Sequence, residues 1–426
     1  MANRMNLPLD FVHLLHEHYD AATADALCAA LDTTEPEVSI RLNPRKLSAE
    51  TVLSCHPELE PVPWCPNAFY LPDRPAFTFD PLLHAGAYYV QEAASMYVAE
   101  VLLKSEKQMV KNKSNPLADE NNSDSSLNDS SLLVLDLCAA PGGKSTLLQG
   151  LLPEGSLLIS NEPIAKRAQI LTENMQKWMT GLPEEAPRIV VTQNYPVEFG
   201  ALTGQVDVLL TDVPCSGEGM FRKDEVARHE WSLENVSMCQ QRQRDILQDI
   251  WHVLKPNGLL IYSTCTFNRF EDEDNVRWIC EELGGELLMK RHFLPGRDRG
   301  EGFYVAAIRH LPQPLSQGVE NGCSLSPREV DKKLSSLHVL YDSALSSPLL
   351  TEGGVNINLS YNEALQYLRR EALRVEAPRG PVTLCYRGLV LGPGKGVGSR
   401  INNLYPEAWR IRTTYTTPFS LLPLLQ

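Results

Sequence analysis

From residue 132 to residue 308, short apolar runs alternate with longer segments whose apolar positions recur every three or four residues. The runs at 132–137, 157–160, 189–191, 206–210 and 259–262 are apolar almost throughout, the pattern of strands buried on both faces. A further strand is predicted over 302–308. The intervening segments read as helices: 144–152, 164–179 (Leu171, Met175 and Trp178 on one face), 232–254, closed by Lys255-Pro256-Asn257-Gly258, and 271–283. Strands alternating with helices of this length predict an α/β fold with a mostly parallel sheet covered by helices.

The flanks differ. Phe11, Leu14, Leu15, Leu27, Ala30 and Leu31 fall at helical spacing, and 38–44 alternates like a strand until Pro44. A Pro-rich stretch covers 57–81, and 91–103 reads as an apolar helix. Residues 105–131 turn polar, rich in Ser, Asn and Asp, and read as a solvated insert. Residues 312–328 carry Pro, Ser and Gly, as a linker does. The expected organisation is a small α+β module over 1–85, an α/β domain over 86–310 containing the insert, and a linker with a C-terminal segment over 311–426.

Composition changes this picture little. The chain has 426 residues, ten cysteines without a C-x-x-C pair, and a formal charge of −14. Scattered cysteines give no support to a zinc site, and no metal is expected. No apolar run approaches the roughly 20 residues that cross a bilayer, and the first residues do not read as an export signal. A cytoplasmic protein with no membrane partner is expected. The negative total argues against nucleic-acid binding by the whole surface, but 369–412 holds nine basic residues against three acids. Tyr386, Tyr405 and Trp409 are interleaved there, either core aromatics under a solvated basic face or rings that stack on nucleic-acid bases.

Candidate chemistry lies where strands end. Cys138-Ala139-Ala140-Pro141-Gly142-Gly143-Lys144 joins the first strand to its helix, and small residues there let a ligand approach the backbone. A phosphate-binding loop would need glycine at Cys138, and the dinucleotide pattern G-x-G-x-x-G is absent. A nucleoside cofactor remains, with Glu162 at the end of the second strand as a partner for ribose hydroxyls. Asp212-Val213-Pro214-Cys215 and Thr264-Cys265-Thr266 follow the fourth and fifth strands. If those strands are neighbours, about 4.8 Å apart, both thiols face one ligand. A cysteine at a strand end is ordinarily a packing residue, but two beside an acid and a cofactor loop fit covalent catalysis. A thiolate adding to C6 of a pyrimidine makes C5 nucleophilic enough to accept a methyl group. Asp212, protonated or sharing a proton, suits support of the ring at N3. Lys144, Arg222 and Lys223 are candidates for the positive charge that lowers a thiol pKa. Spacing does not decide which cysteine attacks.

These motifs, with Gly217-Glu218-Gly219-Met220-Phe221-Arg222-Lys223-Asp224, resemble the Nol/Nop/Sun family of RNA cytosine-5 methyltransferases, and within it the bacterial RsmF type that modifies 16S ribosomal RNA. The resemblance implies a Rossmann-like methyltransferase core that binds S-adenosyl-L-methionine at residues 138–144, with Glu162 as the ribose acid and Asp212 at the base. It also implies that Cys265 is the nucleophile and that Cys215 assists breakdown of the adduct. Where such proteins often carry a cofactor-holding acid after the third strand, this chain has Asn194, expected to substitute through its amide. The strand-like 40–44 resembles the family's N-terminal module. Gly388-Leu389-Val390-Leu391-Gly392-Pro393-Gly394-Lys395 and Asn403-Leu404-Tyr405-Pro406 resemble a PUA-like RNA-binding module. The implied partner is ribosomal RNA, free or in the small subunit, met by a monomer. Transfer RNA as substrate, or a non-catalytic role in ribosome assembly, are the alternatives.

Overall fold

The computed structural model describes residues 7–113, 131–312, 327–345, 349 and 354–413. An N-terminal sheet is built from β1 (Val38–Leu42), β2 (Glu60–Pro61), β3 (Ala68–Leu71) and β4 (Tyr88–Val90). The central sheet contains β5 (Leu133–Asp136), β6 (Leu157–Asn161), β7 (Arg188–Thr192), β8 (Val206–Asp212), β9 (Leu254–Thr264), β10 (Gly285–Phe293), β11 (Phe303–His310) and β12 (Val339–Asp342). A C-terminal sheet holds β13 (Val355–Leu359), β14 (Ala377–Tyr386), β15 (Leu389–Gly398) and β16 (Ile401–Asn403).

The central order is β10-β11-β9-β8-β5-β6-β7-β12. Strands β7, β6, β5, β8 and β9 run parallel, as the apolar runs predict, and β10, β11 and β12 are antiparallel additions at the edges. All four residues of β5 are buried, because helices cover both faces. One of these, Ala165–Met179, buries Ala168, Leu171, Met175 and Trp178, one per turn. From β5 the chain passes to β6 on one side and returns to β8 on the other. The crevice at that reversal lies beyond the carboxyl ends of β5 and β8, where open α/β sheets take ligands.

Several elements differ from expectation. Residues 91–93 are not helical; a 3-10 turn, Ala94–Tyr97, leads into helix Val98–Lys113. That helix carries the backbone well into the segment read as a polar insert, since Lys, Glu, Gln and Met are good helix formers whatever their polarity. The rest of the insert, 114–130, and most of the linker, 313–326, lie outside the described residues. The helix predicted over 232–254 ends at Ile250, and residues 254–264 pair as β9. The sequence pattern does not predict strand β10. Residues 327–345 fall in the expected C-terminal segment, yet β12 completes the central sheet beside β7, and Arg188 ion-pairs with Asp331 and Asp342.

The N-terminal module is locked onto the core by the strand-like segment at 40–44. Arg41, 2% exposed, donates to Gln91 Oε1 at 3.1 Å, Gly143 O at 3.1 Å, Thr146 O at 3.3 Å and Thr146 Oγ1 at 2.6 Å. Asn43 Nδ2 reaches Gly86 O and Trp178 O. Helices Leu9–His18 and Ala21–Thr33 pack instead on Phe221, Trp231 and Phe267, beside the cysteine segments. No helix among the described residues is long and apolar enough to cross a membrane.

Candidate active site

Strands β8 and β9 are neighbours in parallel register, with Asp212 opposite Ser263. Both cysteine segments therefore leave the same edge side by side. Cys215 Sγ and Cys265 Sγ are 3.2 Å apart, and the Cys265 backbone N–H points at Cys215 Sγ at 3.4 Å. The hydrogen bond to Cys265, burial, and the charges of Cys265 and Glu271 all push the Cys215 thiol well above its ordinary range, so Cys215 keeps its proton.

Asp212 is held by two donors. Ser263 Oγ donates to Oδ1 at 2.8 Å, and Lys144 Nζ lies 2.8 Å from Oδ2. Lys144 arrives from the glycine loop and is largely buried. Desolvation disfavours its charge, but Asp212, Asp136 and Cys265 outweigh that and raise its pKa. Of the three cations proposed to serve the thiols, Lys144 is the one whose charge meets Cys265. Arg222 and Lys223 are taken up by Glu301, at 2.8 and 3.7 Å. Asp212 is thus paired with a charged Lys144.

The loop itself is tightly formed. Ala139 N donates to Asn161 O at 2.8 Å, and the Ala140–Pro141 peptide is cis. Pro141 O accepts from Tyr89 Oη at 3.2 Å and Asn174 Nδ2 at 2.8 Å. Gly142 has φ +113°, and a Cβ there would lie 2.5 Å from Met175 Cε; only glycine fits. Gly143 opens helix Gly143–Leu151, so its first N–H groups face the crevice. Burial raises the pKa of the Cys138 thiol, which leaves it an inert neighbour of the loop. Glu162 is 1% exposed; its Oε1 accepts from Ile164 N at 3.0 Å and its Oε2 lies 3.4 Å from Arg167. Asn194 is buried, and its Oδ1 accepts from His338 N at 3.0 Å. That oxygen therefore ties the loop after β7 to the approach to β12.

Sequence reasoning missed four buried acids. Asp136 ends β5, accepts from Ser145 Oγ at 2.6 Å, and has no partner on Oδ1. Glu218 receives Phe267 N at 2.6 Å, Asn268 N at 3.1 Å, Trp231 Nε1 at 3.0 Å and Asn268 Nδ2 at 2.9 Å. Glu271 accepts from Ser216 N at 3.0 Å, Gln243 Nε2 at 2.7 Å and Asn268 Nδ2 at 2.9 Å. Asp272 receives the hydroxyls of Thr264 and Thr266. Acids beside the motifs were the available signal, but their burial is a property of the fold. In the C-terminal module the reverse correction holds. Tyr386 and Tyr405 are buried, Tyr405 against Tyr367 at 5.1 Å, so neither ring is open to stack on a base. Trp409 is half-buried over Lys177.

Residues 126–309 match the family model for the 16S rRNA methyltransferase RsmB/F. Residues 7–93 match the N-terminal domain of 16S rRNA methyltransferase RsmF, and 355–411 its PUA domain. The ribosomal RNA small subunit methyltransferase F of Vibrio atlanticus (strain LGP32) is 31% identical over 92% of this chain and 94% of its own. The proteins of the same name from Aliivibrio fischeri (strain MJ11) and Pectobacterium atrosepticum are 31% and 33% identical, over 70% and 65% of this chain. Those two matches span 60% and 58% of the relatives' length. Among solved structures, NSun6 from Pyrococcus horikoshii with SFG superposes with a TM-score of 0.56 at 17% identity, covering 72% of this chain and 99% of that one. A methyltransferase homolog protein from the same organism gives 0.53 at 22%, covering 72% and 100%. At these identities the two structures speak to the fold. Matched in its N-terminal, central and C-terminal segments, and along nearly all of the Vibrio relative, the chain belongs to the RsmF family of 16S ribosomal RNA methyltransferases.

Proposed function

We propose that this protein methylates C5 of a cytosine in 16S ribosomal RNA, with S-adenosyl-L-methionine as methyl donor, through a transient bond between Cys265 Sγ and C6 of the base. The observation that carries this reading is the pair of thiols 3.2 Å apart beside the Lys144–Asp212 ion pair. The residues around the glycine loop fit the donor. Asp136, Glu162 and Asp212 stand around it, and Asp136 Oδ1 is buried without a partner, so a cationic sulfonium there would favour the ionised form of a carboxyl that burial otherwise pushes up to about 7. Bound there, the donor supplies an electrophilic methyl group. Residues 138–144 and Glu162 would hold it, and Asn194, its Oδ1 engaged by His338, would line the adenosine end.

The chain's own groups then divide the work. Lys144 stabilises a thiolate at Cys265 and, through Asp212, presents a shared proton toward N3 as the ring gains electron density. Cys265 adds to C6, which turns C5 into an enamine-like carbon that takes the methyl group. A base from solvent then takes the C5 proton, the C5–C6 double bond re-forms, Cys265 departs with the electrons of the C6–S bond, and the N3 proton returns to the Asp212–Lys144 pair. Cys215, protonated and 3.2 Å from Cys265 Sγ, assists by hydrogen-bonding the departing sulfur. The target base must leave its stack to reach the crevice. The exposed basic residues of the C-terminal module grip phosphates elsewhere on the RNA. Every catalytic group named comes from one chain, so a monomer suffices.

The test uses 16S RNA and the cofactor. Cys215→Ala should accumulate a denaturation-resistant protein–RNA adduct, and Cys265→Ala should form none and lose methyl transfer by several orders of magnitude. Methylation by Cys265→Ala at the parent rate would exclude the mechanism.

A further inference from the structure

The turn that carries Cys265 is held from several sides. Tyr19, from the N-terminal module, donates to Phe267 O at 2.6 Å. Glu218 takes the N–H groups of Phe267 and Asn268. Asp272 does something more specific. Its Oδ1 accepts from Thr264 Oγ1 at 2.5 Å and from Thr266 Oγ1 at 3.2 Å, the residues immediately before and after Cys265. Its Oδ2 has no hydrogen-bond partner and lies 3.6 Å from His292 Nε2. That nitrogen is 3.0 Å from Thr266 O; a carbonyl only accepts, so Nε2 carries the proton. Both threonine hydroxyls thus turn toward Asp272, while Cys265 between them turns toward Cys215.

Asp272 is completely buried. A buried carboxyl with one oxygen unsatisfied is costly, and packing alone would be better served by an apolar side chain. What an apolar residue cannot do is receive two hydroxyls on one atom and so fix the backbone on either side of the sulfur.

We propose that Asp272 is a positioning residue for methyl transfer: by clamping Thr264 and Thr266 to a single oxygen, it sets the line along which Cys265 Sγ approaches C6. This rests on the reading of Cys265 as the nucleophile. Reactions of this kind are sensitive to geometry, and a displacement of about 1 Å at the reacting atom is enough to slow a step about 100-fold.

The experiment measures the rate of adduct formation in a single turnover, in the Cys215→Ala background, with cofactor and RNA affinities measured alongside. Asp272→Ala should slow adduct formation about 10- to 100-fold and leave both affinities within about twofold. Asp272→Asn keeps an oxygen for both hydroxyls and should recover most of the lost rate. Should Asp272→Ala fail to fold, Thr264→Val and Thr266→Val each remove one arm of the clamp and should each slow the step about 3- to 10-fold. Adduct formation at the parent rate in Asp272→Ala, or in both valine variants, overturns the proposal. So does an Asp272→Asn protein as slow as the alanine variant, or a parallel loss of both affinities. If Cys215→Ala forms no adduct with Asp272 intact, it is the reading of Cys265 that fails, and the clamp with it.

Discussion

Asp136 is the acid nearest the origin of the cofactor loop, and its environment makes a prediction about pH. Burial pushes its carboxyl up to about 7; Ser145 and Lys144 oppose this, while Asp212 and Glu162 add to it. A group whose pKa is higher in the folded than in the unfolded chain stabilises the fold while protonated. Its contribution is complete below the unfolded value of about 4 and is lost as pH rises through 7. Three units at about 1.4 kcal/mol each set a ceiling of about 4 kcal/mol. Asp136→Asn keeps an oxygen for Ser145 and does not titrate. Without cofactor, the melting temperature of the parent protein should fall more between pH 5 and pH 8 than that of the variant. Parallel pH curves would show that Asp136 titrates at an ordinary value. None of this is visible in the motif, where Asp136 is one letter in an apolar run.

At the scale of elements, β1 is the one that reaches furthest into the site. Arg41 forks across the first turn of helix Gly143–Leu151, holding the carbonyls of Gly143 and Thr146 together with the Thr146 hydroxyl. Burial lowers its pKa to about 10, so it stays charged at neutral pH. Lysine offers one point of attachment where arginine offers a rigid fork. Arg41→Lys should therefore weaken cofactor binding about 10-fold by calorimetry while the protein remains folded. Unchanged affinity would mean that the helix start holds its shape without the N-terminal module. Which elements were legible follows from burial. Strands β5, β6, β7, β8 and β9 read clearly because neighbours cover both of their faces. Strand β10 escaped notice because its side chains are mostly exposed or half-exposed, with Glu286, Lys290 and Arg291 breaking the apolar pattern. The local signature of strand β12 is only three apolar residues, Val339-Leu340-Tyr341, too short a run to stand out. Its partner β7 lies some 150 residues earlier, and Arg188 and Asp342 find each other only once the sheet exists. The glycine loop and the two cysteine motifs were legible because their chemistry is written in residue type. Glu218, Glu271 and Asp272 were not, because what distinguishes them is which donors they face.

The whole molecule joins a chain of formal charge −14 to a C-terminal module with an exposed basic edge. Removing that module is a poor test of RNA binding. Leu359, Leu365, Tyr367 and Leu384 share one apolar cluster with Ile40, Leu42, Phe69 and Phe77 of the N-terminal module. Deletion of 311–426 would open that cluster and strip β12 from the central sheet. Point changes avoid this. Arg379 and Lys395 lie near one another on paired strands β14 and β15, and Arg400 stands in the turn between β15 and β16. All three are exposed, and none forms an ion pair among the described residues. Replacing exposed cations by glutamine leaves the apolar cluster intact, so stability should change by less than about 1 kcal/mol. If each of the three neutralises one phosphate, the triple variant should flatten the dependence of log affinity on log salt by about 2, at roughly 0.7 per single-stranded contact. Affinity near 0.1 M salt should fall with it, and the rate of adduct formation at saturating RNA should not, because Cys265 and its clamp are untouched. A salt dependence identical to that of the parent would move the phosphate grip off this edge.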